Sequence, residues 1–436
     1  MHEYCSTVKQ ALLNSIKEMS TTPSLFVKNP GRDFTRKRKL DFESFLHLFI
    51  SMQGRSLGTE LLDYYDFSVD TPSVSAFNQQ RSKLLPDAFN FLFHEFTDTI
   101  LQEKFWNGYR LLACDGSDLN IFRNSEDKET FYQSNSGDKG FNQLHLNVFY
   151  DLCSRIYIDA LIQNRTEENE FRGCVQMMQR SPLPENVILI ADRGYENYNI
   201  FAHAQHKGWK FLIRVKDIHS NGILSGIQGL PDESFDREFS FLLTRRQTKE
   251  IKTHPEKYKF MPTCQTFDYL PIGSKETYPI NFRVVRFQIG DNSYESIITN
   301  LPEEFTPSRI RELYHMRWGV ETSFRELKYA IGLASFHAKK VDYIKQEIFA
   351  RLILYNFCEA ITTSVVIRSS RNAKHMYQVN FTMAISICKK YLKSREIKPP
   401  DVESLIQKYI LPIRPGRQDP RKVKPQAAIG FLYRVA

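Results

Sequence analysis

The sequence VILIADRGY, residues 187–195, decides the predicted fold. Its first five residues are all apolar and rich in β-branched side chains, as expected for a strand that is buried on both faces of a sheet. Asp192 follows this strand directly. An aspartate in such a position is usually a turn former or a helix cap, so Asp192 taken alone does not predict an activity.

Predicted elements on both sides of this strand define the core. We predict strands at 109–113, 144–150, 156–162 and 210–215, and helices at 167–179 and 195–206. The first of these strands is expected to end at Asp115. The resulting order, βββαβαβ, predicts a mixed α/β core.

The first hundred residues show apolar side chains at helical spacing. Short helices are predicted at 42–52, 57–65 and 75–85, and the last of these is rich in Gln and Arg. Such a bundle fits a DNA-binding domain. An ordinary helical domain with a solvated face fits the same pattern, and both interpretations stay open.

The chain after the predicted core changes character twice. Residues 217–300 contain alternating apolar runs interrupted by Gly and Pro, which predict a β-rich insertion. Pro307 is expected to begin one long helix, and 341–368 to form a second, strongly apolar one. The remaining tail is basic and is predicted to be extended; its cations are Arg414, Arg417, Arg421, Lys422 and Lys424.

Bulk composition excludes several classes of protein. The chain has 436 residues, 42% of them hydrophobic, and a formal net charge of +9. The hydrophobic content excludes a disordered chain, and the moderate positive charge is compatible with a nucleic-acid partner. The seven cysteines form no CxxC pair, which argues against a zinc site or a disulfide framework. No segment predicts a secretory signal or a membrane span, so we expect a cytoplasmic protein without a membrane partner.

The segment YHMRWGVETSFRELK, residues 314–328, carries a distinctive polar face. On a regular helix, with about 100° per residue, four of its side chains fall within an arc of roughly 60°. They are Tyr314, Arg317, Glu321 and Lys328. A carboxylate beside two cations suits a metal ion and a phosphate held side by side. The face therefore predicts phosphoryl transfer on nucleic acid.

Helix geometry also ranks the neighbouring side chains. It selects Glu321 over Glu312 and Glu326, which point well away from the polar face. Arg325 falls on the face and is a candidate for a further phosphate contact. Trp318 lies on its flank, either as a core anchor for the helix or as an aromatic wall against DNA.

Three acids from separate elements are expected to converge in this fold. Asp115 and Asp192 follow predicted strands, and Glu321 comes from a helix that would pack across the sheet edge. Each is ordinary alone, but together they predict a metal site. Oxygen ligands select Mg²⁺ or Mn²⁺. Two such ions about 4 Å apart would stabilise the attacking and leaving oxygens of a phosphoryl displacement.

These features together resemble the DDE transposases of bacterial insertion sequences, and in particular the insertion-sequence-four family. The resemblance rests on the three acids, on the DRGY turn at 192–195 and on the string Tyr-x2-Arg-x3-Glu-x6-Lys, and it covers about residues 105–365. It implies an α/β fold: a ribonuclease-H-like mixed-sheet core with a β-rich insertion, an N-terminal helical domain and C-terminal helices. The implied units are a DNA-binding domain at 1–105, a catalytic core at 106–216 and 301–340, an insertion at 217–300, and a dimerisation and DNA-contact region with the basic tail at 341–436.

The resemblance implies roles for the site residues. Asp115, Asp192 and Glu321 would be the catalytic acids and would bind two Mg²⁺ ions, for which Mn²⁺ would substitute. The implied phosphate contacts near the cut strand are Tyr314, Arg317 and Lys328, with Arg325 and Trp318 added from their helix positions.

The implied reaction is cut-and-paste transposition of DNA at terminal inverted repeats, with a hairpin intermediate. A hairpin requires a flipped base stacked on an aromatic ring, for which Tyr278, Phe282 and Tyr294 are candidates. The implied partners are double-stranded element ends, target DNA and a second copy of the chain in a synaptic homodimer. Two alternatives stay open: a catalytically silent DNA-binding protein derived from a transposase, and a ribonuclease-H-like nuclease without strand transfer.

Overall fold

The computed structural model describes residues 2–36, 38–133, 135, 137, 139–291, 293–367, 376–394 and 399–413. Its first part consists of the helices α1 (His2–Thr21), α2 (Phe42–Ser51), α3 (Leu57–Tyr64), α4 (Val74–Arg81) and α5 (Ala88–Ile100). The three short helices predicted here are present. The side chains of Asp41, Ser56 and Ser73 cap the N-termini of these helices. Each accepts a hydrogen bond from the backbone N–H three residues later in the chain.

The polar side chains of α4 do not all face solvent. Gln80 donates a hydrogen bond to the carbonyl of Leu40, and Arg81 is buried against Glu347. Gln79 is exposed. The Gln- and Arg-rich segment therefore offers fewer groups to a DNA partner than its sequence indicates, because two of its polar side chains serve internal contacts.

The central part of the sheet follows the predicted order of elements. Its strands are β1 (Arg110–Ile121), β2 (Phe131–Tyr132), β3 (Phe141–Asp151), β4 (Ile156–Asn164), β5 (Val187–Ala191) and β6 (Lys210–Val215). Helices α6 (Glu170–Arg180) and α7 (Tyr198–His206) connect β4 to β5 and β5 to β6. The main strands lie in the order β4-β3-β1-β5-β6, with β3 antiparallel to both neighbours and β1, β5 and β6 parallel. This arrangement confirms the predicted mixed α/β, ribonuclease-H-like fold.

The β-rich segment after β6 continues the same sheet. It contains β7 (Phe235–Thr244), α8 (Lys249–Thr253), β8 (Tyr258–Phe260), β9 (Thr277–Gly290) and β10 (Ser293–Thr299). Strand β10 pairs antiparallel with β6, and β9, β7 and β8 follow in turn. The segment is therefore joined to the core by backbone hydrogen bonds and does not form a sheet of its own.

The last part of the chain is mainly helical. Its elements are α9 (Pro307–Met316), α10 (Trp318–Arg325), α11 (Val341–Thr362), β11 (Tyr377–Val379), α12 (Phe381–Lys393), α13 (Val402–Lys408) and β12 (Ile410–Pro412). Helix α11 is buried along most of its length and packs against α1, α2, α5 and α12. No helix of the described ranges is both long and apolar enough to cross a membrane. The predicted basic tail lies outside the described residues.

The single long helix predicted from Pro307 is wrong in one respect, because the helix is interrupted at Arg317. The N–H of Arg317 donates to the carbonyl of Tyr314, and the N–H of Val320 donates to that of Arg317. These three-residue steps tighten the backbone between α9 and α10. After α10, Glu326–Ala330 form a wider π-helical turn. Arg317 and Lys328, two members of the predicted polar face, therefore lie in irregular turns of the backbone.

Candidate active site

Asp115 lies inside β1 and not at its end. Strand β1 pairs with β3 as far as Ile121, whereas its parallel partner β5 ends opposite Cys114. The predicted strand end at Asp115 was wrong because the antiparallel partner continues the strand through polar residues. Asp115 is therefore the first residue of β1 beyond its pairing with β5.

Asp192 lies next to the end of the neighbouring strand β5, at about the same height in the sheet as Asp115. It follows Ala191, which is the β5 partner of Cys114. Its carboxylate accepts the N–H of Gly194 at 2.8 Å and so begins the short 3₁₀ turn Arg193–Tyr195. A Cβ atom at position 194 would lie only 2.9 Å from Asp192 Oδ1. A side chain at position 194 would therefore displace the Asp192 carboxylate.

Arg317 joins an acid of the sheet to an acid of the helix. Its guanidinium lies 2.6 Å from Glu321 Oε1 and 3.6 Å from Asp115 Oδ2. Only 5% of Arg317 is exposed. The Arg317 side chain therefore lies between β1 and α10.

The electrostatics of Asp115 show that the acids are close neighbours. Burial raises the pKa of Asp115 to about 7, and the charges of Asp192 and Glu321 add to this rise. The Arg317 guanidinium and the N–H of Gly116 act in the opposite direction but do not cancel it. A concentration of negative charge at one place is the condition that a bound cation relieves.

The donor set fits a divalent metal ion. Asp115, Asp192 and Glu321 offer only carboxylate oxygens, which suit Mg²⁺ and Mn²⁺. A cationic group, the Arg317 guanidinium, already lies between two of these carboxylates. The three carboxylates are thus the candidate oxygen ligands for such an ion.

The other two members of the predicted polar face are more enclosed than an open helix surface would make them. Tyr314 is 5% exposed, and burial raises the pKa of its phenol against the opposing effects of Arg317 and Arg214. Lys328 lies in the π-helical turn and donates to the carbonyl of Asp118 at 2.9 Å. Burial lowers the pKa of Lys328. Tyr314 therefore lies beside Arg317, whereas Lys328 lies beside Asp118, which is not one of the three acids.

Trp318 and Arg325 are the exposed candidates. Trp318 is 47% exposed, and its ring lies 6.0 Å from the Arg317 guanidinium. Trp318 is therefore not a core anchor of this helix. The other interpretation, an aromatic ring that packs against DNA, stays a prediction. Arg325 is exposed and lines a different groove, together with Lys104 and Arg155.

A second cluster of titratable side chains surrounds His145 on β3, the strand that pairs with β1. His145 on β3 is 4% exposed, with Nδ1 2.8 Å from Asp118 and 3.8 Å from Glu168, and Nε2 3.6 Å from Glu170. Burial opposes protonation of the imidazole, but the three acids outweigh it and raise the pKa of His145. Its acidic partners were missed, because only the pairing of β1 with β3 sets Asp118 opposite His145.

Carboxylates from two adjacent strands and a later helix, gathered on this sheet, define a class of candidate metal-dependent phosphoryl transferases. The family model described as transposase DDE domain matches residues 106–357, and the chain belongs to this family of DNA-cleaving and strand-transferring enzymes. A search of curated proteins found no match. Among solved structures, the chain is similar to the cryo-EM structure of the piggyBac transposase synaptic complex with hairpin DNA. The identity is 10% and the TM-score 0.46, over 95% of this chain and 86% of that one.

Proposed function

We propose that this protein is a divalent-metal-dependent transposase of the insertion-sequence-four type, which cuts its element at terminal inverted repeats and joins the ends to target DNA. The observation that carries the proposal is the contact of Asp115 and Glu321 with Arg317, beside Asp192 on the adjoining strand. Membership of the transposase DDE family supports it.

The proposed roles of the side chains follow from their positions. Asp115, Asp192 and Glu321 would hold two Mg²⁺ ions, with Mn²⁺ as a substitute, and these would activate the attacking oxygen and stabilise the leaving one. The three carboxylates come from separate elements, and the charges of Asp192 and Glu321 both act on Asp115. Arg317, fixed between two of them, is placed to balance the charge of a phosphate that enters the site.

We further propose that the second strand is cut through a hairpin, which needs an exposed aromatic ring for an extruded base. Phe282 is only 3% exposed, and Tyr278 packs against other aromatic rings. The Tyr294 ring lies 3.7 Å from the guanidinium carbon of Arg286. The exposure of Trp318 favours this ring over the three in the insertion.

The proposed partners are double-stranded DNA with terminal inverted repeats, target DNA and a second copy of the chain in a synaptic homodimer. Residues 1–105 would bind the element ends, and 341–436 would supply dimer and DNA contacts around the core at 106–216 and 301–340. The net charge of +9 supports a polyanionic partner.

The experiment that tests this function uses a supercoiled plasmid carrying the paired inverted repeats that flank the coding sequence. We expect Mg²⁺-dependent excision and joining of the excised ends to a second plasmid. Excision without joining would identify a ribonuclease-H-like nuclease. Binding in a gel shift, without nicking in Mg²⁺ or Mn²⁺, would identify a catalytically silent DNA-binding protein. Either result overturns the proposal.

Lys328 provides a test of the proposed phosphate contacts. Lys328→Ala is expected to weaken binding to end DNA and to reduce the slope of log K against log salt by about 0.9, because one phosphate contact is lost. Fluorescence anisotropy between about 50 and 200 mM salt measures both quantities. The control is Lys252→Ala, which removes an exposed lysine of α8 beside the last strand of the sheet and should change neither. A wild-type slope in Lys328→Ala would exclude the contact.

A further inference from the structure

Glu170, the first residue of α6, lies between the candidate metal site and His145. Its Oε1 atom lies 3.6 Å from His145 Nε2. Its Oε2 atom faces the DRGY turn, where a Cβ atom at position 194 would lie 3.1 Å from Glu170 Oε2 and 2.9 Å from Asp192 Oδ1. The carboxylates of Glu170 and Asp192 therefore border one small space, which the absence of a side chain on Gly194 leaves open.

His145 adjoins the other oxygen of Glu170. Its Nδ1 lies 2.8 Å from Asp118, but its buried Nε2 makes no hydrogen bond within the described part of the chain. A buried polar atom without a hydrogen-bond partner is unfavourable, so the position of Nε2 beside Glu170 needs an explanation. Gly116 makes room for both groups: a Cβ atom there would overlap the His145 ring and lie 2.9 Å from Glu170 Oε1.

Ordinary explanations account poorly for Glu170. An acid in the first turn of a helix is favoured by the helix dipole, yet this side chain is only 36% exposed and is directed at His145 and at Asp192. Glu168, two residues earlier, pairs with Arg165. Within the described ranges no arginine or lysine forms such a pair with Glu170, and its ion-pair partner is His145.

We propose that Glu170 is a fourth carboxylate of the metal centre, on the Asp192 side, and that His145 is the positioning residue that holds it there. This inference rests on the proposed function, because it assumes that Asp115 and Asp192 bind a divalent cation. Mg²⁺ takes six oxygen ligands, so a fourth carboxylate has a place in its coordination or among its bound waters. In many metal sites, residues that do not bind the metal themselves contact its ligands and orient them. Asp118 and His145 would do this for Glu170.

Mn²⁺ binding to the full chain tests the inference without any cleavage reaction. Electron paramagnetic resonance reports the free Mn²⁺ during a titration of the protein. Glu170→Gln keeps the volume of the side chain but removes its charge, and it should weaken Mn²⁺ binding about tenfold or more. Glu167→Gln, the same change at an exposed neighbouring position, should bind as the wild type does. His145→Gln should weaken binding by a smaller factor, because the Glu170 carboxylate remains but loses its support.

Asp192→Asn separates this inference from the proposed function. If Asp192→Asn and Glu170→Gln both bind Mn²⁺ as the wild type does, the proposed metal centre itself is wrong. If Asp192→Asn weakens binding and Glu170→Gln does not, the metal centre stands and the role of Glu170 is overturned. Circular dichroism shows whether each variant folds. Should Glu170→Gln not fold, His145→Gln decides, and wild-type affinity in that variant overturns the inference.

Discussion

Replacement of Asp192 by asparagine should reduce Mg²⁺-dependent excision by at least about a thousandfold, which corresponds to roughly 4 kcal/mol in the activation barrier. The asparagine side chain has the same size and can still accept the N–H of Gly194, so the turn after β5 should survive. What is lost is the negative charge of a proposed metal ligand. The measurement is the single-turnover rate of excision from a plasmid that carries both inverted repeats, with a gel shift to measure binding of the ends.

The matched control for this variant is Asp342→Asn, which makes the same change at an exposed aspartate in the first turn of α11. It should excise DNA at the wild-type rate. Asp192→Asn should still bind the ends, because the metal site is proposed to act on the bound strand and not to recognise its sequence. Wild-type excision by Asp192→Asn would exclude the residue as a metal ligand. A parallel loss of DNA binding would point to a folding defect instead.

Replacement of Arg81 by alanine should lower the free energy of unfolding by about 3–5 kcal/mol. Arg81 of α4 is 1% exposed and lies 2.8 Å from Glu347 Oε1 of α11. Burial alone would raise the pKa of Glu347, but Arg81 and other cations outweigh it and hold that pKa at about 2. The arginine is lost in the variant, and a charged carboxylate is left buried between the helices. Urea unfolding followed by circular dichroism measures the change.

Two further variants show whether the loss of stability in Arg81→Ala comes from breaking the ion pair with Glu347. Arg32→Ala removes an exposed arginine and should change the stability by less than about 0.5 kcal/mol. The double variant Arg81→Met with Glu347→Leu should recover most of the loss, because both buried charges are removed together. A cost below about 1 kcal/mol for Arg81→Ala would mean that water or a rearranged side chain compensates Glu347.

Elements with a strong local pattern were predictable to the residue. Strand β5 runs from Val187 to Ala191, as its apolar run predicted, because a strand buried on both faces must be apolar throughout. Strand β6 also has its predicted bounds, Lys210 and Val215, although Lys210 and Arg214 in it are only partly buried. Strand β1 was predicted too short. Its second half is polar, and its place in the sheet comes from pairing with β3, which no local pattern reports.

The polar face of 314–328 was likewise predictable in part. Helical spacing separated Glu321 from Glu312 and Glu326, and in the structure Glu321 contacts Arg317 whereas Glu326 accepts a hydrogen bond from Tyr355. Glu312 is exposed. The spacing argument works because residues four apart stay neighbours even beside a tightened turn. The interruption at Arg317 and the π-helical turn were not predictable, since regular spacing assumes a regular helix.

The order of the elements, the mixed α/β class and the three acids proposed to bind metal could all be predicted from the sequence, because they depend on short-range apolar patterns and on residue type. Which side chains meet could be seen only in the folded chain. The fold set His145 opposite Asp118, brought Glu170 to Asp192, and buried Arg81 against Glu347, which is 266 residues away. The physical reason is that strand register and helix packing direct side chains toward partners that are distant in the chain, and no local pattern in the sequence carries that information.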